Sequence, residues 1–402
     1  PPDCCNPFKQ EPIMSAIDHI RSFHGELTEI RRDIHANPEL GMEEHRTAEL
    51  VARKLEEWGI EVHRGVGGTG VVGVLRAGNG DQAIGLRADM DALAMGEATD
   101  LPYASQNAGK MHACGHDGHT TMLLGAARYL AETRNFNGIV NFIFQPGEEG
   151  AGGALAMLED GLFERFPCNA IYAIHNRPNM PVGKFAIAPG AQMAGGAFFD
   201  ISVRGKGAHG ARPEESIDPV LAACHIATAL QSILSRNVRP SDTAVLSITK
   251  IQGGDAYNVI PQSATISGTA RTFRPETMDL IETNMARVAE GVAAGFGAVA
   301  TVDFRKIFAP LINDAAETEI FGDAAADLVG EANLDRKKLP GMGSEDFAFM
   351  MEKVPGAYIN LGNGDSAALH NQQYNFNDEA TPFGSALFAG VVERKLRRGA
   401  AD

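Results

Sequence analysis

A chain of 402 residues exceeds what a single hydrophobic core usually supports, so two domains are expected. With 44% hydrophobic and 21% charged residues it has the composition of a globular protein. Its formal net charge of −16 argues against nucleic-acid or anionic-membrane partners, and no apolar run is long enough to span a bilayer.

The five cysteines, Cys4, Cys5, Cys114, Cys168 and Cys224, form no disulfide framework, which fits a reducing compartment and predicts a cytoplasmic protein. The opening stretch lacks the basic and apolar regions of a signal peptide. Residues 1–13 therefore read as a leader, non-native or disordered, ahead of a start at Met14.

The apolar spacing predicts an amphipathic helix over 15–34, ended ahead of Pro38, because the residue before proline disfavours the α region. A second helix is predicted over 43–58, stopped by Gly59, followed by short β-like runs at 60–63 and 70–76. Between those runs, Gly65-Val-Gly67-Gly68-Thr-Gly70 matches the dinucleotide fingerprint G-x-G-x-x-G. It leads into a strand rather than opening a helix, so it reads as a hairpin loop. Residues 83–87 form a strand that delivers Asp89 and Asp91 to its C-terminal end, where α/β sheets place their sites.

Next comes Met111-His112-Ala113-Cys114-Gly115-His116-Asp117-Gly118-His119, with three imidazoles, a thiol and a carboxylate in nine residues. Imidazole nitrogens and thiolates are preferred ligands of zinc-like ions, and the two glycines let the backbone turn sharply enough for close ligands to converge. A helical pattern follows directly, placing the cluster at a helix N-terminus, where the dipole lowers a thiol pKa. A strand over 138–144 then runs into Gln145-Pro146-Gly147-Glu148-Glu149-Gly150, two adjacent glutamates that repel each other unless a cation sits there. A third strand, 170–176, finishes at His175.

The texture then changes. Strands at 198–205, 244–251, 262–272 and 300–307 and helices at 217–234 and 278–294 suggest an inserted α+β domain over 197–308, an antiparallel sheet with two helices on one face. Around it, 14–196 and 309–402 form a discontinuous α/β domain with a helix at 317–331, a glycine-flanked acidic turn at 342–347, a strand at 358–361, His370, and a closing helix at 382–398.

Candidate ligands come from four places: Cys114 and His116, Glu149, His175, and His370. Five are too many for one catalytic ion that keeps an open position, and they suit two ions about 3.5 Å apart sharing a bridge. Glu148, a carboxylate beside a ligand, suits the proton carrier that serves the activated water.

At this point the chain resembles the metal-dependent aminoacylase and carboxypeptidase family, in the branch of hippurate hydrolase, N-acyl-amino-acid amidohydrolases and indole-acetyl-amino-acid hydrolases. The resemblance rests on Arg87-Ala-Asp-Met-Asp-Ala-Leu93, Leu101-Pro-Tyr-Ala-Ser105, the Met111–His119 cluster, Phe144-Gln-Pro-Gly-Glu-Glu-Gly150, Gly207-Ala-His209, Tyr257-Asn-Val-Ile-Pro261 and Gly343-Ser-Glu-Asp-Phe347. It implies a zinc-peptidase-like domain, a mixed sheet flanked by helices, interrupted by a lid that also forms a homodimer. It implies two divalent ions per subunit, manganese or zinc with cobalt or nickel as alternatives, on Cys114, His116, Glu149, His175 and His370, with Glu148 as general acid and base. His209 would stabilise the oxyanion from the partner subunit, and Asn258, Arg271, Gly343 and Ser344 would meet the substrate.

The chain departs from the wider family at Arg87, where a ligand histidine is usual, so Asp89 is expected behind the ligands rather than on the ions. Ala94 and Gly147 also stand where proline and alanine are usual. The activity implied is hydrolysis of the amide of an N-acyl amino acid: hippurate-like, N-acetyl or indole-acetyl. The alternatives on the same scaffold are a dipeptidase or carboxypeptidase and an aromatic-amine deaminase. A non-enzymatic module would need only a closed four-ligand metal site.

Overall fold

A computed structural model describes residues 15–398, so the leader expected at 1–13 lies outside the described residues. The chain forms two compact units. The first takes the described residues up to Ala188, then Asp314–Lys338 and those from Val354 onward; the second takes Pro189–Asn313 and Leu339–Lys353.

The first unit opens with helices α1 (Ala16–Ser22), α2 (His24–Ala36) and α3 (His45–Glu57). Ser15 caps α1 by accepting the Asp18 N–H, which satisfies one of the donors that every helix start leaves open. The single helix expected over 15–34 is broken at Phe23, whose φ of −119° leaves the helical region and whose side chain is buried. The apolar period continues across the break, so spacing alone could not reveal it.

Strands β1 (Glu61–Val66) and β2 (Gly70–Ala77) form a hairpin, and Gly65 near the end of β1 and Gly67 and Gly68 in the turn take positive φ. Then come β3 (Ala83–Asp89), α4 (His116–Thr133), β4 (Gly138–Gln145), α5 (Gly153–Glu159), α6 (Leu162–Arg165), β5 (Ala170–Arg177) and β6 (Phe185–Ala186).

The second unit follows with β7 (Gly190–Met193), β8 (Gly195–Arg204), β9 (Ala208–His209), α7 (Pro219–Arg236), β10 (Ala244–Gly253), β11 (Val259–Ile260), β12 (Ser263–Thr272), α8 (Pro275–Gly295), β13 (Val299–Phe308) and β14 (Leu311–Asn313). The chain continues through α9 (Ala315–Val329), β15 (Leu334–Asp335), α10 (Phe347–Met351), β16 (Gly356–Gly362) and α11 (Thr381–Lys395). Of these, α10 belongs to the second unit.

The first unit is built on an eight-stranded mixed sheet in the order β1-β2-β4-β3-β5-β16-β6-β15. Its centre, β4-β3-β5-β16, is parallel, and every residue of β3 and β16 is buried. Strands covered on both faces read as continuous apolar runs, which is why these segments stood out in the sequence. The second unit holds a four-stranded antiparallel sheet, β10-β12-β8-β13. Phe199, Ile201 and Val203 of β8 pack with Ile226 and Leu230 of α7 and Ile281 and Met285 of α8 in one core.

Residues 339–353, which the sequence texture groups with the surrounding α/β domain, fall in the second unit instead. Backbone hydrogen bonds from Gly341 N–H to the Gln192 carbonyl and from Ala194 N–H to the Gly343 carbonyl tie them to β7 and its neighbours.

Candidate metal centre

From β3 the chain crosses through α4 to β4 on one side, then returns through α5 and α6 to β5 on the other. The C-terminal end of β3 is thus a point where the strand order reverses, the usual place for a site in a parallel sheet. Asp89 ends β3, the Glu148–Glu149 turn follows β4, and His175 lies near the end of β5. Helix α4 begins at His116, three residues earlier than its apolar period suggests, with Gly115 in the left-handed region as its N-cap. A Cβ on Gly115 would lie 2.3 Å from Asn176 Nδ2 and 2.6 Å from the Tyr374 hydroxyl, so only glycine fits this turn.

The five expected ligands fall into two triads. Donor atoms of Cys114, His116 and His175 lie within 4.8 Å of one another, and so do those of Cys114, Glu149 and His370. The thiol of Cys114 is common to both. Two hydrogen bonds fix the histidine tautomers. His116 Nδ1 donates to the Asp91 carbonyl at 2.9 Å, and His175 Nδ1 donates to the Asn176 carbonyl at 2.7 Å, which leaves both Nε2 lone pairs for the centre.

Buried His116 Nε2 has no hydrogen-bond partner, and buried Glu149 Oε1 has only His370 Nε2 beside it, at 3.1 Å. Stranded buried acceptors are costly, and a cation would satisfy them, so the residues present fit a divalent ion at each triad. Burial pushes the Cys114 thiol up, while hydrogen bonds to Cys114 and Glu149 push His370 up to about 10. A bound cation inverts both tendencies by claiming thiolate and neutral imidazole.

Of the three imidazoles in the cluster, only His116 joins these triads. His119 is near enough to Asp89 and His116 to suggest a further group. Its Nε2, however, accepts the Asn176 backbone N–H at 3.0 Å, and its Nδ1 donates to Asp89 Oδ1 at 2.6 Å. No lone pair remains for a metal. His112 is buried, and burial pushes it down to about 4.

Asp89 also takes Arg87 Nη1 at 2.8 Å on its other oxygen. Burial works to raise its pKa, but His116, His119 and Arg87 outweigh that and hold it well below the usual carboxylate range. Arg87, a guanidinium with no lone pair to offer, spends its Nε on Gln145.

Several residues that hold the site were not singled out as such in the sequence. Asn176 Nδ2 donates to the Cys114 carbonyl at 2.6 Å, and Tyr374 donates its hydroxyl proton to Asn176 Oδ1 at 2.7 Å. Asp91 accepts the Glu149 N–H at 2.9 Å. His370 has a φ of +61°, unusual for a non-glycine residue, and its N–H donates to the Ala113 carbonyl. Of Asn176, Tyr374 and Asp91, only Asp91 had a signal, its place just past a strand end. The partners of Asn176 and Tyr374 are distant in sequence.

Other expected residues lie in the second unit. His209 is exposed on β9, paired with Val259 of β11, and its Nδ1 accepts the Ala211 N–H at 3.0 Å. Asn258 is exposed, and its carbonyl accepts the Gly210 N–H. Arg271 Nη1 and Ser344 Oγ are both buried without hydrogen-bond partners. They flank Gly196, where a Cβ would lie 2.0 Å from Arg271 Nη1 and 3.2 Å from Ser344 Oγ.

Residues 85–394 match the description of peptidase family M20/M25/M40. The hippurate hydrolase of Campylobacter jejuni is 45% identical over 385 residues, covering 96% of this chain and 100% of the relative. An IAA-amino acid hydrolase, ILR1-like 4, of Arabidopsis thaliana is 40% identical, covering 91% and 85%. The crystal structure of the Bacillus subtilis YXEP protein, described as a dinuclear metal binding peptidase of the M20 family, superposes with a TM-score of 0.83 at 37% identity, covering 94% of this chain and 99% of that one. This chain is therefore a metal-dependent amidohydrolase and belongs to peptidase family M20/M25/M40.

Proposed function

We propose that the chain hydrolyses the amide bond of N-acyl amino acids at a dinuclear centre, releasing a carboxylic acid and a free amino acid. The observation that carries this reading is the pair of ligand triads sharing Cys114, with Glu148 Oε2 4.0 Å from His116 Nε2. When bound, the two ions supply Lewis-acid polarisation of the scissile carbonyl and a water of lowered pKa. Cys114, His116 and His175 would hold one ion and Cys114, Glu149 and His370 the other. Mixed thiolate, imidazole and carboxylate donors suit zinc or manganese. Glu148 takes the proton of the attacking water and returns it to the leaving amine. Asp91 keeps His116 and Glu149 oriented through its hydrogen bonds to both.

Arg271 and Ser344, with their unpaired buried donors, suit the free carboxylate of the substrate's amino-acid half. Asn258 and Gly343 complete that binding set. His209 stabilises the oxyanion: with Nδ1 engaged as an acceptor, its Nε2 carries the proton to donate. The second unit acts as a lid through which a homodimer forms. Among the described residues no helix is long and apolar enough to cross a membrane, and Cys114, Cys168 and Cys224 are unpaired, in keeping with a cytoplasmic enzyme.

The test is release of amino acid from hippurate, N-acetyl amino acids and indole-acetyl amino acids, before chelation, after it, and after addition of Mn or Zn. Hydrolysis lost on chelation and restored by metal is expected. Undiminished turnover in protein shown to be free of metal, or no turnover of any member of the panel, would overturn the reading.

A further inference from the structure

Glu44 stands at the N-cap of α3, yet its carboxylate makes no cap hydrogen bond. That task falls to Glu39, which accepts the N–H groups of Arg46 and Thr47. Glu44 is instead 0% exposed and turned inward. Its Oε1 accepts the Gly147 N–H at 2.7 Å and the Met42 N–H at 3.0 Å, and its Oε2 accepts the Thr69 hydroxyl. A buried carboxylate is expensive, and spending it on a backbone amide 103 residues away asks for a reason.

Gly147 immediately precedes Glu148 and has a φ of +56°. Met42, which Glu44 also holds, has a φ of +67°, a strained value for a residue with a side chain. The two turns are in direct contact: a Cβ on Gly41 would lie 3.0 Å from Gly147 Cα, and one on Gly147 would lie 3.0 Å from Met42 Sδ. Asp91 holds the far side of Glu148 through the Glu149 N–H. The backbone of Glu148 is thus pinned on both sides by buried carboxylates.

We propose that Glu44 is a positioning residue for Glu148, fixing through the Gly147 amide the direction from which Glu148 presents its carboxylate to the attacking water. This rests on the reading of Glu148 as the proton carrier. Glu149, held independently by Asp91, keeps its place when Glu44 is changed.

Glu44→Ala, Glu44→Gln, Glu44→Asp and Glu148→Gln should be compared for kcat, KM, bound metal and hydrogen exchange of the 147–150 segment in metal-free protein. Displacing a catalytic group by about 1 Å costs up to the order of 10²-fold in rate, so Glu44→Ala is expected to lose about 10- to 100-fold in kcat. KM should stay within about twofold, as when an interaction made only in the transition state is lost. Metal content should be unchanged and the amides of residues 147–150 should exchange faster. Glu44→Gln should recover most of the rate and protection, because its side-chain oxygen still accepts both N–H groups.

Wild-type kcat in Glu44→Ala, or a loss that Glu44→Gln does not repair, overturns the proposal. If Glu44→Ala does not fold, the order of the other two decides. Glu44→Asp keeps the charge but is too short to reach both Gly147 and Thr69, so it should be the slower, and the reverse order overturns the proposal. An active Glu148→Gln defeats the underlying reading as well, whereas an inactive Glu148→Gln beside a fully active Glu44→Ala defeats only the positioning role.

Discussion

Glu148 and Glu149, adjacent glutamates with different proposed duties, are the sharpest residue-scale feature of the chain. Glu149 lies within ligand distance of Cys114 and His370, and its backbone N–H is held by Asp91. Glu148 sits one residue back, beside His116. Removing charge from each therefore has different consequences. Glu148→Gln should retain both ions and lose roughly 10²- to 10⁴-fold in kcat, the usual worth of a general acid–base group. Glu149→Gln should lose metal along with activity. Metal analysis and turnover on the same samples check this; equal metal content in the two variants would count against the division. The pair was legible in the sequence because both residues sit in one glycine-flanked turn after an apolar strand. The carboxylates behind them differ. Asp91 was marked by its strand end, but the link from Glu44 to Gly147 spans the fold and leaves no local pattern.

At the scale of elements, α2 and α4 are joined by charges rather than by apolar contact alone. Buried His35 of α2 meets buried Asp117 of α4 at 2.8 Å and the partly buried Glu97 at 3.2 Å, and Arg31 contacts Asp117 and Asp378 beside them. Burial works to lower the His35 pKa, but Asp117 and Glu97 outweigh it and raise it to about 9. A group whose pKa is higher folded than unfolded stabilises the fold fully below its unfolded pKa, about 6.5 for histidine, and that stabilisation is lost as pH rises through the folded value. The gap in Tm between the wild type and His35→Gln should therefore be widest near pH 6 and shrink toward about pH 10. A gap that stays constant over that range would show that His35 is not held protonated.

Helices such as α3 and the buried parallel strands were readable from period and apolar runs. The break at Phe23 and the order β4-β3-β5 were not, since neither alters local spacing. That order is what gathers Asp89, Glu148, Glu149 and His175, so the sequence revealed the ligand types before it revealed why they meet.

For the whole molecule, all five expected ligands belong to the first unit, while His209, Asn258, Arg271 and Ser344 belong to the second. Resemblance rather than spacing singled out that second set, because an exposed histidine in a glycine-flanked turn looks like any solvated loop. The structure adds that Ala211 occupies His209 Nδ1, so the neutral ring presents a donor at Nε2. Losing one oxyanion donor typically costs on the order of 10²- to 10³-fold in rate, which is the expectation for His209→Ala. The proposed homodimer adds a sharper requirement: if His209 serves the site of its partner, two inactive variants should repair each other. In a hybrid of His209→Ala and Glu148→Gln protomers, one site takes Glu148 from the first variant and His209 from the second, and is intact. With free subunit exchange half the dimers are hybrids with one working site of two, so recovery should approach about a quarter of wild-type activity. No recovery despite demonstrated exchange would place His209 in the site of its own subunit, and near wild-type activity in His209→Ala alone would remove it from the chemistry.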